Sequence, residues 1–258
     1  MVENLISKIT SRPRNTKLDP KKFVRLINKQ YLSTRADNAY RIKKSFSPST
    51  IGYGHGKCPR YWSFAFTGAN FSESQTAPQI ASMNSGTTAH ERIQDTIEKT
   101  GLLIEKEKEV LYSDPPIRGF ADVIVDADGT PVVGEIKTTK HSLYMQKKDE
   151  GVPADSHLLQ ILVYMKVLGM DEGFILYESK DTNELVSLPV VMSKKNEEYI
   201  NYVFDWMKEV YDAWVQKKNI KRGFAKSTYT CKNCPVFDQC YEASNGRTNI
   251  PVLEVKIP

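Results

Sequence analysis

Two runs rich in β-branched residues, Ile117–Val125 and Pro131–Thr138, flank the segment Asp126-Ala127-Asp128-Gly129-Thr130. An Asp-Gly turn between such runs predicts a β-hairpin. A loop over residues 127–130 sets Asp122 opposite Glu135, to within one residue for a bulge. Side chains alternate along a strand, so Glu135 and Lys137 share a face. Two adjacent carboxylates suit a hard divalent cation, and a neighbouring lysine can position or deprotonate an attacking water. That is the chemistry of phosphodiester hydrolysis. The competing reading is a solvated hairpin face. Val123, Val125, Val133 and Ile136 argue against it, because strands so apolar are buried and unpaired charges inside them are costly.

The 258 residues, 40% of them hydrophobic, suffice for one sizeable core or a core with a small appendage. No apolar run approaches the roughly 20 residues of a membrane span, and Met1–Lys8 lacks the apolar block of a signal peptide. A soluble protein without membrane contact is expected, cytoplasmic in a prokaryotic or phage-infected cell. Four cysteines in such a chain point to a metal site more than to disulfides. The charge is uneven. Residues 1–45 hold seven Lys and five Arg against Glu3, Asp19 and Asp37, a balance of +9 that leaves the rest of this +5 chain at −4. A basic arm ahead of a slightly acidic body suits contact with nucleic acid or another polyanion, or is a solvated tail or targeting arm.

Helical spacing of Phe23, Leu26, Ile27 and Tyr31 predicts one or two basic helices over residues 15–45. Phe46-Ser47-Pro48-Ser49-Thr50-Ile51 predicts a turn and helix start with Ser or Thr caps. Cys58-Pro59-Arg60-Tyr61-Trp62 marks a helix start or loop, and residues 72–79 a loop. Gly86–Lys99 is expected to be a helix with Ala89, Ile93 and Ile97 inward, ended by Gly101. Strands follow over Glu105–Tyr112 and the hairpin. His157–Leu168 predicts a largely buried helix stopped by Gly169. Gly173–Glu178 and Leu185–Val190 form a second hairpin, and Lys194–Lys218 a long helix with Tyr199, Val203, Trp206, Val210 and Trp214 inward. This order predicts an α/β fold around a mixed β-sheet flanked by helices.

Cys231, Cys234 and Cys240 form a C-x2-C turn with a third cysteine after five more residues, while Cys58 lies far upstream. Four thiolates suit tetrahedral zinc or a four-iron cluster. The asymmetric arrangement of one plus three favours iron–sulfur, although thiolate softness leaves zinc open. His90 and Gln94 share a helix face, as do Gln160 and Tyr164. A lone helical His is ordinarily a satisfied packing residue and gains interest if this helix packs beside the hairpin. Gln160 and Tyr164, with His157 on the same side, are either core packing or a polar stripe toward a phosphate or a stacked base.

Taken in order, Ser-Pro-Ser-Thr, Cys58-Pro-Arg-Tyr-Trp, Gly86-x3-His90-Glu91, Gly119-x2-Asp122, Glu135-Ile-Lys137, Gln160-x3-Tyr164 and the cysteine trio resemble one family. It is the RecB-like branch of the PD-(D/E)XK nucleases with a four-cysteine iron–sulfur cluster. The branch includes the CRISPR-adaptation exonuclease and AddB-type helicase–nuclease subunits. The resemblance spans roughly residues 46–242 and implies a restriction-endonuclease-like core. It implies that His90, Asp122, Glu135 and the main-chain carbonyl of Ile136 hold Mg²⁺ or Mn²⁺. Lys137 would orient the attacking water, and Gln160 and Tyr164 would support the site and DNA. Cys58, Cys231, Cys234 and Cys240 would ligate a [4Fe–4S] cluster, with Zn²⁺ as the alternative, clamping the N- and C-terminal segments together. Ala121 replaces the Pro of the name-giving dipeptide, at no cost to the ligand Asp122.

The expected organisation is a basic extension over 1–45, a nuclease domain over 46–242 and a tail over 243–258. The expected activity is metal-dependent hydrolysis of DNA, as an exonuclease on single-stranded or frayed ends, with a helicase, recombination or integration protein as possible partner. A branched-DNA or flap endonuclease is the alternative enzyme. A catalytically idle DNA-binding subunit is the alternative class, and it leaves the Asp122, Glu135 and Lys137 set without a purpose.

Overall fold

The computed structural model describes residues 17–34, 39–72 and 75–256. Expectations for residues 1–16 and 35–38 of the basic arm, for residues 73 and 74 and for the last two of the tail lie outside them. The described residues divide into two compact units, a small one holding residues 17–34 with Gln75–Met83 and a large one holding the rest.

In the small unit, α1 (Pro20–Ser33) is capped by Asp19, whose carboxylate accepts from the N–H groups of Lys21 and Lys22, as an N-cap side chain should. The spacing correctly predicted this helix, yet Phe23, Leu26 and Ile27 are exposed. The helical reading did not extend through residue 45. Ala39–Arg41 is instead strand β1, paired antiparallel with β2 (Ala69–Phe71). That pairing is made with a distant segment, which local periodicity cannot reveal.

In the large unit, a five-stranded sheet runs in the order β3 (Leu103–Ser113), β4 (Pro116–Ala127), β5 (Thr130–Thr139), β6 (Glu172–Ser179), β7 (Leu185–Val191). Every neighbouring pair is antiparallel except β5 with β6. The sheet is mixed and flanked by helices, as expected. The β4–β5 hairpin takes the foreseen register, with Val123 opposite Gly134 and Ala127 opposite Thr130. Its two-residue turn places Asp128 at φ 52° and Gly129 at φ 87°, the left-handed geometry that matches strand twist.

A parallel pair needs a crossover, supplied here by α5 (His141–Glu150) and α6 (Asp155–Leu168). The sequence pattern missed α5, whose charged residues leave only Tyr144 buried. It identified α6 correctly. Leu159, Ile161, Leu162, Val163 and Met165 are fully buried, so the helix sits inside the protein. Two short helices precede the sheet, α2 (Pro48–Ile51) and α3 (Pro59–Thr67), and then comes α4 (Ala77–Lys99). Helix α4 starts within the expected loop, with Pro78 in its first turn, where proline is compatible with a helix. Ser47 stands at the N-cap of α2, but its side chain makes no capping bond.

Helix α7 (Lys194–Val215) buries Val203, Trp206 and Val210. The tail returns to the core: Ile250 and Leu253 are buried, and the Leu253 N–H donates to the carbonyl of Lys57. No helix among the described residues is long and apolar enough to cross a membrane.

Phe46, Trp62 and Phe66 form an aromatic cluster with ring centroids 4.7–5.8 Å apart. Trp62 is wholly buried, and its Nε1–H donates to the Gly56 carbonyl. Trp62→Ala is expected to cost about 3–5 kcal/mol of stability through lost burial and a residual cavity, measured by chemical denaturation.

Candidate active site

The β4–β5 ladder runs from its turn to Val123 and Gly134. One step further, Asp122 Oδ2 accepts the main-chain N–H of Ile136 at 2.6 Å. A buried backbone donor must find a partner, and here a carboxylate serves as one. Its other oxygen, Oδ1, lies 3.4 Å from His90 Nδ1 on α4. One turn along α4, Gln94 donates to the main-chain carbonyl of Asp122 at 3.0 Å and to Glu107 at 2.6 Å. Glu107, on β3, has φ 53°, so Gln94 ties a local irregularity of the edge strand to the aspartate.

Glu135 is 2% exposed. Its Oε1 accepts from Lys137 Nζ at 2.6 Å and from Gln160 Nε2 at 2.8 Å. Gln160 also lies 3.2 Å from the Tyr164 hydroxyl. Oε2 is buried with no hydrogen-bond partner. Helix α6 thus presents Gln160 and Tyr164 to the hairpin, as their i, i+4 spacing allowed. Gly119 permits this approach. A Cβ there would sit 3.0 Å from both Pro48 and the Tyr164 ring.

Burial pushes the Glu135 carboxyl up to about 7. The Lys137 charge opposes that shift and the Asp122 charge adds to it. Burial pulls His90 down, but its hydrogen bond to Asp122 and that carboxylate's charge outweigh it, so its pKa is raised. The Tyr164 hydroxyl is pushed up by burial and by Glu135, and stays neutral.

The carboxylates open on a cavity of about 830 Å³ that Asp122, Glu135, Lys137, Gln160 and Tyr164 line. Its wall also includes Lys43, Lys44, Arg118 and Phe120, which the sequence reading assigned no site role. From sequence the lysines register only as charge, and no one-dimensional signal brings residues 43 and 44 to the hairpin.

The four cysteines converge elsewhere. Cys58, Cys231, Cys234 and Cys240 line one small cavity, none in a disulfide. Burial pushes Cys234 up to about 12, and it raises Cys58. Arg60, 3% exposed, donates to Cys240 Sγ at 3.2 Å, Asn219 Oδ1 at 3.1 Å, the Ser244 carbonyl at 2.7 Å and the Ile220 carbonyl. Among the described residues no three His, Cys, Asp or Glu side chains stand close enough together to hold a single metal ion.

The model of the PD-(D/E)XK nuclease superfamily matches residues 69–241. Comparison with curated proteins returns no match. Among solved structures, SSO0001 aligns over 82% of this chain and 92% of its own, at 15% identity and TM-score 0.46. The alkaline exonuclease LHK-Exo from Laribacter hongkongensis aligns over 73% and 95% at 11% identity and TM-score 0.47. The same enzyme in complex with dAMP aligns over 53% and 70% at 14% identity and TM-score 0.45.

The raised Glu135 pKa has a consequence for metal-free protein. The folded state holds a proton that the unfolded chain has released between its ordinary carboxyl pKa and about 7. Stability from this group is therefore present at low pH and lost as pH rises through that window. Glu135→Gln is expected to raise the melting temperature in EDTA more at pH 8 than at pH 5, read by paired thermal melts.

Proposed function

Because the chain belongs to the PD-(D/E)XK nuclease superfamily, we propose that it is a metal-dependent DNA nuclease of the RecB-like branch, acting as an exonuclease on single-stranded or frayed ends. The observation that carries the reading is the buried, unpartnered Oε2 of Glu135 beside Asp122. Leaving such an oxygen unmatched costs about 1–3 kcal/mol or more for a charged group, and a divalent cation would offset that cost. By donor type, though not by their present spacing, His90, the two carboxylates and the carbonyl of Ile136 suit a hard cation and would hold Mg²⁺ or Mn²⁺. When bound, the ion would supply Lewis acidity toward the phosphate and acidify water at the site.

The chain's own groups do the rest. The Ile136 N–H and Gln94 fix the Asp122 carboxylate and its backbone. Gln160 fixes Glu135, and Tyr164 backs Gln160. Lys137 extends into the cavity from the strand that carries Glu135. From there it orients the attacking water and faces the negative charge that builds on the phosphate. The branch and the end-directed activity follow from the motif resemblance; the basic residues 1–45 would contact DNA or a helicase, recombination or integration partner. The proposed boundaries remain an extension over 1–45, a nuclease domain over 46–242 and a tail over 243–258, in a cytoplasmic setting.

The cysteine cavity is proposed to hold a [4Fe–4S] cluster. Four thiols lining one cavity, one from far upstream and three from the C-terminal motif, support a shared metal site, and this asymmetric arrangement favours the cluster over zinc. Arg60 supports an anionic occupant: a buried guanidinium that donates to a sulfur calls for negative charge nearby.

Asp122→Ala and Glu135→Ala are each expected to abolish cleavage in Mg²⁺ and Mn²⁺ while retaining the fold. Lys137→Ala is expected to lower kcat at least about 100-fold with little change in DNA affinity. End-labelled single- and double-stranded substrates provide the assay, and wild-type cleavage by Asp122→Ala protein sinks the site assignment.

Anaerobically purified protein is expected to be brown and to carry close to four irons per chain. Cys58→Ala is expected to lose iron as completely as Cys234→Ala. Elemental analysis decides: one zinc per chain refutes the cluster, and full metal content in Cys58→Ala refutes a shared site.

A further inference from the structure

Phe120 stands two residues before Asp122 on the same strand and lines the same cavity, yet the residue is 45% exposed. Single exposed apolar residues are ordinary on protein surfaces. This one differs in what surrounds it. The Arg118 guanidinium lies over the ring, 5.5 Å from its centroid. Arg118 Nε in turn donates to Glu109 Oε1 at 2.8 Å, from the residue directly across from Phe120 on β3. A cation and an aromatic face are thus held together at the mouth of the carboxylate site, with exposed Lys44 on the cavity wall.

Resting on the nuclease reading above, we propose that Phe120 and Arg118 form a stacking platform for one unpaired nucleobase flanking the scissile phosphate, with Lys44 and Arg118 engaging its backbone. An aromatic face stacks on any base without reading sequence, and arginine adds a cation–π contribution. A base inside a duplex already has both faces covered by its neighbours, so it reaches Phe120 only after unstacking. The platform therefore selects strands whose nucleotide at the site is unpaired. The charges match the polyanionic backbone, each phosphate contact contributing a salt slope of about 0.7 on single strands.

Binding tests this without turnover. Short oligothymidylates carrying one 2-aminopurine at the first, second or third nucleotide from either end are titrated with protein in Ca²⁺. Stacking quenches 2-aminopurine emission. In wild type at least one position is expected to be quenched. That quenching persists in Phe120→Trp and is lost in Phe120→Ala and in Phe120→Leu, which keeps apolar bulk at the site. No quenched position in wild type, or equal quenching in all four proteins, overturns the platform.

Cleavage supplies the second arm. Phe120→Ala is expected to lower kcat/KM on single strands about tenfold, within the range a stacked base carries. An abasic nucleotide at the quenched position is expected to lower wild type by the same factor and Phe120→Ala no further, since the two changes remove one interaction. Losses that multiply independently overturn the proposal. Absence of cleavage by wild type in either metal refutes the nuclease reading instead, and the quenching result then decides the platform by itself.

Discussion

The hydrogen bond from the Ile136 N–H to Asp122 Oδ2 is the contact on which the rest of the site depends. A hairpin normally satisfies its donors with carbonyls of the opposite strand. Here a side chain takes that place at the end of the ladder, so the backbone geometry and the position of the carboxylate are fixed by one bond. A carboxylate accepting from a buried amide cannot wander, and its remaining oxygen points to His90. Local strand geometry thereby sets functional geometry.

Charge inside a sheet is otherwise unfavourable, and the protein balances it pairwise. Glu135 has Lys137 and Gln160. Glu178, 2% exposed on neighbouring β6, has Arg92 from α4. Helix α4 thus meets the sheet through His90, Arg92 and Gln94 in polar contacts and through Ile93, buried against Val123 and Ile136, in apolar ones. The polar contacts fix orientation and the apolar ones supply burial energy.

Much of this was legible in the sequence for a physical reason. The Asp-Gly turn and the apolar alternation fix hairpin register as far as Val123 and Gly134, and this carries Asp122 and Glu135, one step further on, into one neighbourhood. The Gln160 and Tyr164 pair was legible as a helical stripe but not as a partner of Glu135, because helix-to-sheet docking is a tertiary fact. Residues 39–41 looked helical in context and became a strand through pairing with Ala69–Phe71. Helix α5 was invisible because one buried tyrosine leaves no period to detect. Arg60 was equally hidden. Arginine is rarely buried, and its partners lie 159 to 184 positions away.

Those separations bear on how the polypeptide comes into being. Trp62 and Phe66 lie on a segment that packs against α7, and Arg60 takes its partners from residues 219–244. The Lys57 carbonyl waits for Leu253. During synthesis the early third of the large unit therefore emerges with its aromatic surface uncovered and its arginine unmatched. Synthesis at about 5–20 residues per second leaves that surface exposed for roughly ten seconds or more before its cover arrives. The nascent chain thus passes through a stage in which the residues that line the cleft, all between positions 42 and 164, exist before the segments that cover the aromatic surface and Arg60.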